Sequence, residues 1–320
     1  MKITNSLKKR FCKDTKINIE VLQEPYFSKR LELYDNQLNS MKKYKDFLDV
    51  LKDFTNEQDY FEYYNSMKDK IINHLKNTEG IKKLIKADFK EFQIPNTGIT
   101  QKHIFKESNI GKTLLSIDMI KANFSSLKHY DKSIFKVNDK LCNTYEEFVG
   151  EFTEYEHIIN SKYIRQVVFG TVNPKRQVMY EKYLMYKILI MIEEVLKVDQ
   201  VDLLDIALNF SNDEIVIDVT NLDDKMLENL KDNIMNNELN VPLKLEQYVL
   251  GKIQNTDGYA KVFEDGEVDI KCLNKLMYPF VLRFLNGEEI QEEDKVFFHE
   301  GRLAAFLETP EISIVTEMPR

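Results

Sequence analysis

Over the first 90 residues, apolar positions recur at spacings of three and four between Lys, Asp and Glu. Phe47, Leu48, Leu51 and Phe54 make one such series, and Met67, Ile71, Ile72 and Leu75 another. That period predicts amphipathic helices, and the segment reads as a helical support region. A lesser alternative is that its dense lysines touch a phosphate backbone. The period is lost over residues 91–112, where Pro95, Gly98 and Gly111 predict an irregular connector. Leu114–Asp118 then predicts a strand, Lys121–Tyr130 a short helix and Tyr145–Val168 further helix. Asn173–Pro174 is a helix-start signal, with Asn as cap and Pro at the first position, for a helix running to about Lys197. Leu208–Phe210 and Glu214–Val219 predict paired strands around the acidic pair Asp213–Glu214. A helix over Asn221–Asn236, a strand over Val241–Val249, a hairpin around Asp265–Gly266 and a helix over Leu273–Phe284 complete the pattern. The chain therefore reads as an α+β protein.

Bulk properties narrow the classes. The 320 residues are 43% hydrophobic and 31% charged, which predicts a globular chain with a sizeable core. The formal charge of -8 argues against a surface coated in basic residues, though a local basic patch can still bind nucleic acid. Cys12, Cys142 and Cys272 are far apart and form no CxxC pair, so neither zinc nor a disulfide framework is indicated. A reducing, cytoplasmic setting is the plain reading. No signal peptide is expected, and no apolar run approaches the ~20 residues of a membrane span.

Two strand-borne aspartates carry the sharpest chemistry. Asp118 ends the first predicted strand, and Asp213, followed by Glu214, occupies the turn of the later hairpin. Paired carboxylates on strands suit Mg²⁺ or Mn²⁺ in a two-metal phosphoryl-transfer site. Ordinary turn aspartates are the alternative, and that reading puts the two more than ~10 Å apart, far wider than the ~3.5–4 Å between bridged metals. Around Val167–Gly170, Lys162, Arg165, Lys175 and Arg176 are concentrated. Arg165 and Phe169 are four apart and share a helix face, so a cation beside a ring can meet phosphate and base. A solvated basic edge with a core phenylalanine is the alternative.

Five segments, in order, resemble those of the family A, DNA polymerase I-like enzymes. Leu114–Phe124 is similar to motif A, Arg165–Gly170 to the centre of motif B, and Asn212–Ile217 (NDEIVI) to motif C. Val241–Glu246 resembles the closing palm strand and Gln93–Ile94–Pro95 the template-primer contact segment. The resemblance spans about residues 93–250. It implies Asp118 and Asp213 as metal ligands, and Asp118, Asp213 and Glu214 as the catalytic set. It places Arg165 on the nucleotide's phosphates and Phe169 against the incoming nucleotide, with Lys162 and Lys121 as further cations near the triphosphate. Asn123 stands where the family's sugar-excluding glutamate usually is, so sugar choice is open. Asn212 replaces the usual motif C histidine, and Asn173 the motif B tyrosine.

The resemblance implies a reduced palm with a small antiparallel sheet. A helical N-terminal region (1–92) would precede a palm/fingers-like core (93–250), with an α/β accessory segment (251–320) after it. The expected activity is metal-dependent addition of nucleotides to a nucleic-acid 3′ end, with a primer-template or single strand and a nucleoside triphosphate as partners, on a scale that suits a phage or mobile element. Two alternatives are a template-independent terminal transferase and a catalytically inactive palm that binds nucleic acid or a protein. Gly111–Lys112–Thr113 is not a P-loop, because Lys106 stands at the first glycine. His74, His103, His129, His157 and His299 show no metal-binding spacing. His299–Glu300–Gly301–Arg302 is polar and compact but suggests no mechanism.

Overall fold

A computed structural model describes residues 1–99, 104–172 and 174–317. The N-terminal run is helical, as its period predicts: α1 (Asn5–Thr15), α2 (Tyr26–Leu33), α3 (Asp35–Leu38), α4 (Ser40–Leu51), α5 (Glu57–Asn77) and α6 (Glu79–Lys86). Thr4, Asn56 and Thr78 cap α1, α5 and α6 by accepting hydrogen bonds from the amides of Leu7, Asp59 and Ile81. Each satisfies an amide that the helix leaves unpaired. After the connector come β1 (Thr113–Met119), α7 (Ala122–Tyr130) and a small hairpin, β2 (Lys136–Val137) with β3 (Lys140–Leu141).

The continuous helix expected over 145–168 is instead α8 (Tyr145–Gly150), α9 (Glu156–Ile159) and α10 (Lys162–Val172). The breaks have a local cause. Thr153 accepts from the Tyr155 amide at 3.3 Å, and Ser161 accepts from the Ile164 amide at 3.1 Å. These hydroxyls take amides that an uninterrupted helix would use. Next comes α11 (Pro174–Val198); its expected cap, Asn173, lies outside the described residues, as does His103. The remaining elements are α12 (Leu203–Ile206), β4 (Ala207–Phe210), β5 (Glu214–Asp218), α13 (Asp224–Met235), β6 (Leu243–Ile253), β7 (Tyr259–Val262), β8 (Val268–Lys271), α14 (Tyr278–Asn286), β9 (Val296–His299), β10 (Arg302–Ala305) and β11 (Ile314–Val315). Gly266, at φ +85°, makes the β7–β8 turn. His299–Arg302 forms the turn of the β9–β10 hairpin, with Glu300 and Gly301 at positive φ.

The main sheet is antiparallel, in the order β4-β5-β1-β6-β7-β8, and β11 pairs with the last residues of β6. This is the α+β arrangement with a small antiparallel sheet. Side-chain alternation gives the sheet two faces. Leu115, Ile117 and Met119 of β1, with Ile215 and Ile217 of β5, enter the main core, where α7, α11 and α13 pack together against the sheet. Leu114, Val216, Tyr248 and Leu250 point to the opposite face and form a smaller cluster with Leu208 and Tyr259. The main core takes residues from Leu7 to Leu282 and so joins all three segments expected from the sequence; β6 itself runs through the 250/251 boundary. No helix among the described residues is long and apolar enough to cross a membrane.

Two buried polar hubs fasten the segments. Asp14, 1% exposed, accepts from the Tyr64 hydroxyl at 2.6 Å and the Ser161 hydroxyl at 2.9 Å, with Arg10 at 3.6 Å and His157 at 3.4 Å. It thereby joins α1, α5 and the start of α10. Asp294, 4% exposed, accepts from Arg30 at 2.8 Å, from Arg283 at 2.9 Å and from the Gln291 amide at 2.8 Å. Arg30 also donates to the carbonyls of Glu293, Asp294 and Val296. Breaking one side of a buried pair leaves an uncompensated charge. Asp294→Asn is therefore expected to lower unfolding free energy by about 3–5 kcal/mol, read from the urea midpoint. A loss under about 1 kcal/mol would place this pair with solvated surface bridges instead.

Candidate active site

The candidate site lies where β1 leaves the sheet. Asp118 shares the face of Leu114 and Ser116, away from the helical layer, and pairs across the ladders with Glu214 of β5 and Lys244 of β6. The Met119 amide donates to the Asp213 carbonyl at 2.8 Å, so the β4–β5 turn is tied to the end of β1. Neighbouring strands lie ~4.8 Å apart, so the register sets Asp118 beside Glu214, one residue from Asp213.

Four carboxylates gather here, and two are already engaged. Glu214 accepts the Ser116 hydroxyl at 2.6 Å. Glu246 holds Lys244 at 2.5 Å and Lys261 at 3.0 Å. Burial opposes its charge, but those two ammonium groups outweigh burial and keep its pKa below the ordinary value. Lys261 is itself buried, with its ammonium 4.6 Å from the centre of the Tyr248 ring. Asp213, exposed on the turn, accepts only the Ser211 hydroxyl at 3.3 Å among the described residues. Asp118 has no hydrogen-bond or ion-pair partner among them. Burial, then the charges of Asp213, Glu214 and Glu246, push its pKa up to about 6, with partial relief from Lys261. Among the described residues, no group of three or more His, Cys, Asp or Glu is arranged to hold a metal ion. The uncommitted pair is Asp118 and Asp213.

The expected nucleotide contacts divide. Arg165 lies over the Tyr145 ring at 5.8 Å and forms no ion pair among the described residues. Phe169 shares that face, as its spacing predicts, but the face turns inward: the ring is fully buried against Tyr145 and Phe135. The expectation that Phe169 packs on a nucleotide is corrected, because this ring is part of the core. Lys121 is bound by Glu146 at 2.5 and 2.6 Å and so is not an unpaired cation. Lys162 is exposed. Asn123 donates to Glu181 at 3.1 Å.

Glu181 is the residue that sequence reasoning missed. It projects from α11 and is 3% exposed; one carboxylate oxygen, Oε1, accepts from Asn123, Gln177 and Ser126. Burial is the main cause that pushes its pKa up to about 7; the hydrogen bond from Gln177 works against the shift and the charge of Asp213 adds to it. A signal was present. Tracing the buried stripe of α11 back from Ile192 through Ile188 and Leu184 reaches Glu181 and Gln177, polar residues on a core face. Glu246 lay inside a segment singled out from the sequence, though without a role.

The crowding at Asp118 has a stability consequence. A carboxyl whose pKa is higher folded than unfolded binds more protons in the native state, so its contribution is present below about pH 4 and is lost as pH rises through about 6. In chelator at pH 7.5, Asp118→Asn is expected to stabilise the protein by about 1–3 kcal/mol. The difference should shrink toward zero near pH 4, as read by urea unfolding at each pH. A difference independent of pH would show that charge crowding is not its source.

No protein-family model, no curated protein and no solved structure matches this chain.

Proposed function

We propose that the protein is a metal-dependent nucleotidyltransferase of palm-like architecture, similar to the DNA polymerase I-like enzymes, that extends a nucleic-acid 3′ end. The observation that carries this reading is the meeting of Asp118, near the end of β1, with Asp213 on the adjoining β4–β5 turn, neither of them in an ion pair among the described residues. Their oxygen-only chemistry fits Mg²⁺ or Mn²⁺, hard cations that need one or two carboxylates and complete their shell with water and substrate phosphates. When bound, such ions neutralise the triphosphate and lower the pKa of the attacking hydroxyl. Ser116 fixes Glu214 beside the pair. Arg165 is the cation best suited to a phosphate, because no carboxylate engages it among the described residues. Asn123, tethered to Glu181, stands at the position that bears on sugar choice.

A second reading has its own support. The burial of Phe169 and the engagement of Lys121 by Glu146 leave fewer groups for a nucleotide than the resemblance implies. An inactive palm that binds nucleic acid accommodates both facts.

Primer extension with labelled dNTPs and NTPs, in Mg²⁺ or Mn²⁺ and with or without template, separates the two. Extension is expected in the wild type. It should fall in Asp118→Asn and Asp213→Asn by more than the roughly 10–100-fold typical of losing a supporting residue at a metal site. A parallel readout is thermal stability, since a ligand that binds only the folded state raises the melting temperature. Mn²⁺ should raise it in the wild type and much less in either variant. Absence of extension in every lane, with no metal-dependent shift, would sink the enzyme reading.

A further inference from the structure

Where the end of α1 meets the segment before α14, a cavity of about 490 Å³ is lined by Lys13, Lys16 and Lys275 together with Cys12, Asn18 and Tyr278, among others. Among the described residues, no acidic one lines it. That is the reverse of the chain as a whole, in which 53 acidic residues outnumber 45 basic ones. Lys13 and Lys16 form no ion pair among the described residues. Lys275 lies 3.7 Å from Glu20, with side chains 64% and 38% exposed, so the contact is weak. Lys16 sits at the left-handed C-cap of α1, at φ 59°. The negative end of the helix dipole there favours a cation. Like charges gathered without lining carboxylates repel one another, and an anion relieves that cost.

Rings accompany the cations. Tyr278 is half-buried on the cavity wall. The Lys16 ammonium lies 5.8 Å from the Tyr163 ring of α10, which Arg10 also approaches at 4.6 Å. Tyr163 thus places a second ring beside Lys16. Cations on a groove with an aromatic wall suit a nucleic-acid strand: ammonium groups meet phosphates and a ring meets a base. The volume is that of a pocket for a small ligand, which suits roughly a nucleotide or two of one strand.

We propose that this cleft holds the backbone of a single-stranded nucleic acid, with Lys13, Lys16 and Lys275 on its phosphates and Tyr278 against a base. It deepens the nucleotidyltransferase reading by giving the strand a path outside the Asp118–Asp213 site, but its own residues carry it.

The test is fluorescence anisotropy of the full chain with a labelled 20-nucleotide oligo-dT or oligo-U, at several salt concentrations from 50 to 300 mM. The variants are the triple Lys13→Gln/Lys16→Gln/Lys275→Gln, its Lys→Arg counterpart, and a charge-matched control at exposed lysines elsewhere, Lys2→Gln/Lys76→Gln/Lys225→Gln. Each single-strand phosphate contact contributes about 0.7 to the slope of log K against log salt. Removing three should make the slope shallower by about 2, which at 0.1 M salt amounts to a roughly 100-fold weaker complex. The Arg triple should bind like the wild type, and the control should keep the wild-type slope. Binding is read without metal or nucleoside triphosphate, so failure of catalysis leaves this inference standing. A wild type that does not bind, or a cleft triple indistinguishable from the control, overturns it. A folding defect is excluded by matched circular dichroism melts, and Lys13→Gln/Lys16→Gln alone should still flatten the slope by more than about 1.

Discussion

A strand with a neighbour on each side can send its side chains in only two directions, and β1 uses both. Leu115, Ile117 and Met119 anchor the helical layer, while Leu114, Ser116 and Asp118 face the other way. The pleat makes these roles inseparable. A slip of one residue against β5 or β6 would turn Asp118 into the main core among Ile and Leu and move Ile117 to the opposite face. The same apolar contacts that stabilise the sheet therefore hold Asp118 against the Asp213 turn. Core packing sets the geometry of the carboxylates, and their mutual repulsion is sustained by that packing.

The charge pattern around this strand is graded. Glu246 is neutralised by two lysines and Glu214 is steadied by a hydroxyl, whereas neither Asp118 nor Asp213 is held in an ion pair among the described residues, and Lys261 relieves the crowding at Asp118 only in part. Glu181, close enough for the charge of Asp213 to affect it, is surrounded by neutral donors instead. The fold thus places carboxylates of three electrostatic kinds within one corner.

Local periodicity made much of this legible. The NDEI turn, the strand before Asp118, the long helix after Pro174 and the Asp265–Gly266 hairpin follow from apolar spacing and turn chemistry within about twenty-five residues. What depends on distant partners did not show. The spacing of Arg165 and Phe169 correctly gave one shared face, but which way that face turns is decided by Tyr145 and Phe135. The engagement of Lys121 by Glu146 spans α7 and the β2–β3 hairpin, and the gathering of Lys13 and Lys16 with Lys275 spans nearly the whole chain. The strands β9, β10 and β11, of four, four and two residues, are too short to declare a period. Helix breaks after Gly150 and Ile159 arose from single hydroxyls competing for amides, a contest that pattern alone does not resolve.

The clamp between Arg30 and Asp294 also bears on how the chain matures during synthesis. The two residues are 264 positions apart. At roughly 5–20 residues per second on the ribosome, about 13–53 s elapse between the making of one and the making of the other. Through that interval the Arg30 guanidinium lacks its carboxylate, and α2 has no C-terminal segment to seat against. The N-terminal helices can collapse early onto their own aromatic residues, but this buried charge is matched only once Asp294 has been made. Completion of this fold is thus a late event, closed by the meeting of segments 264 residues apart.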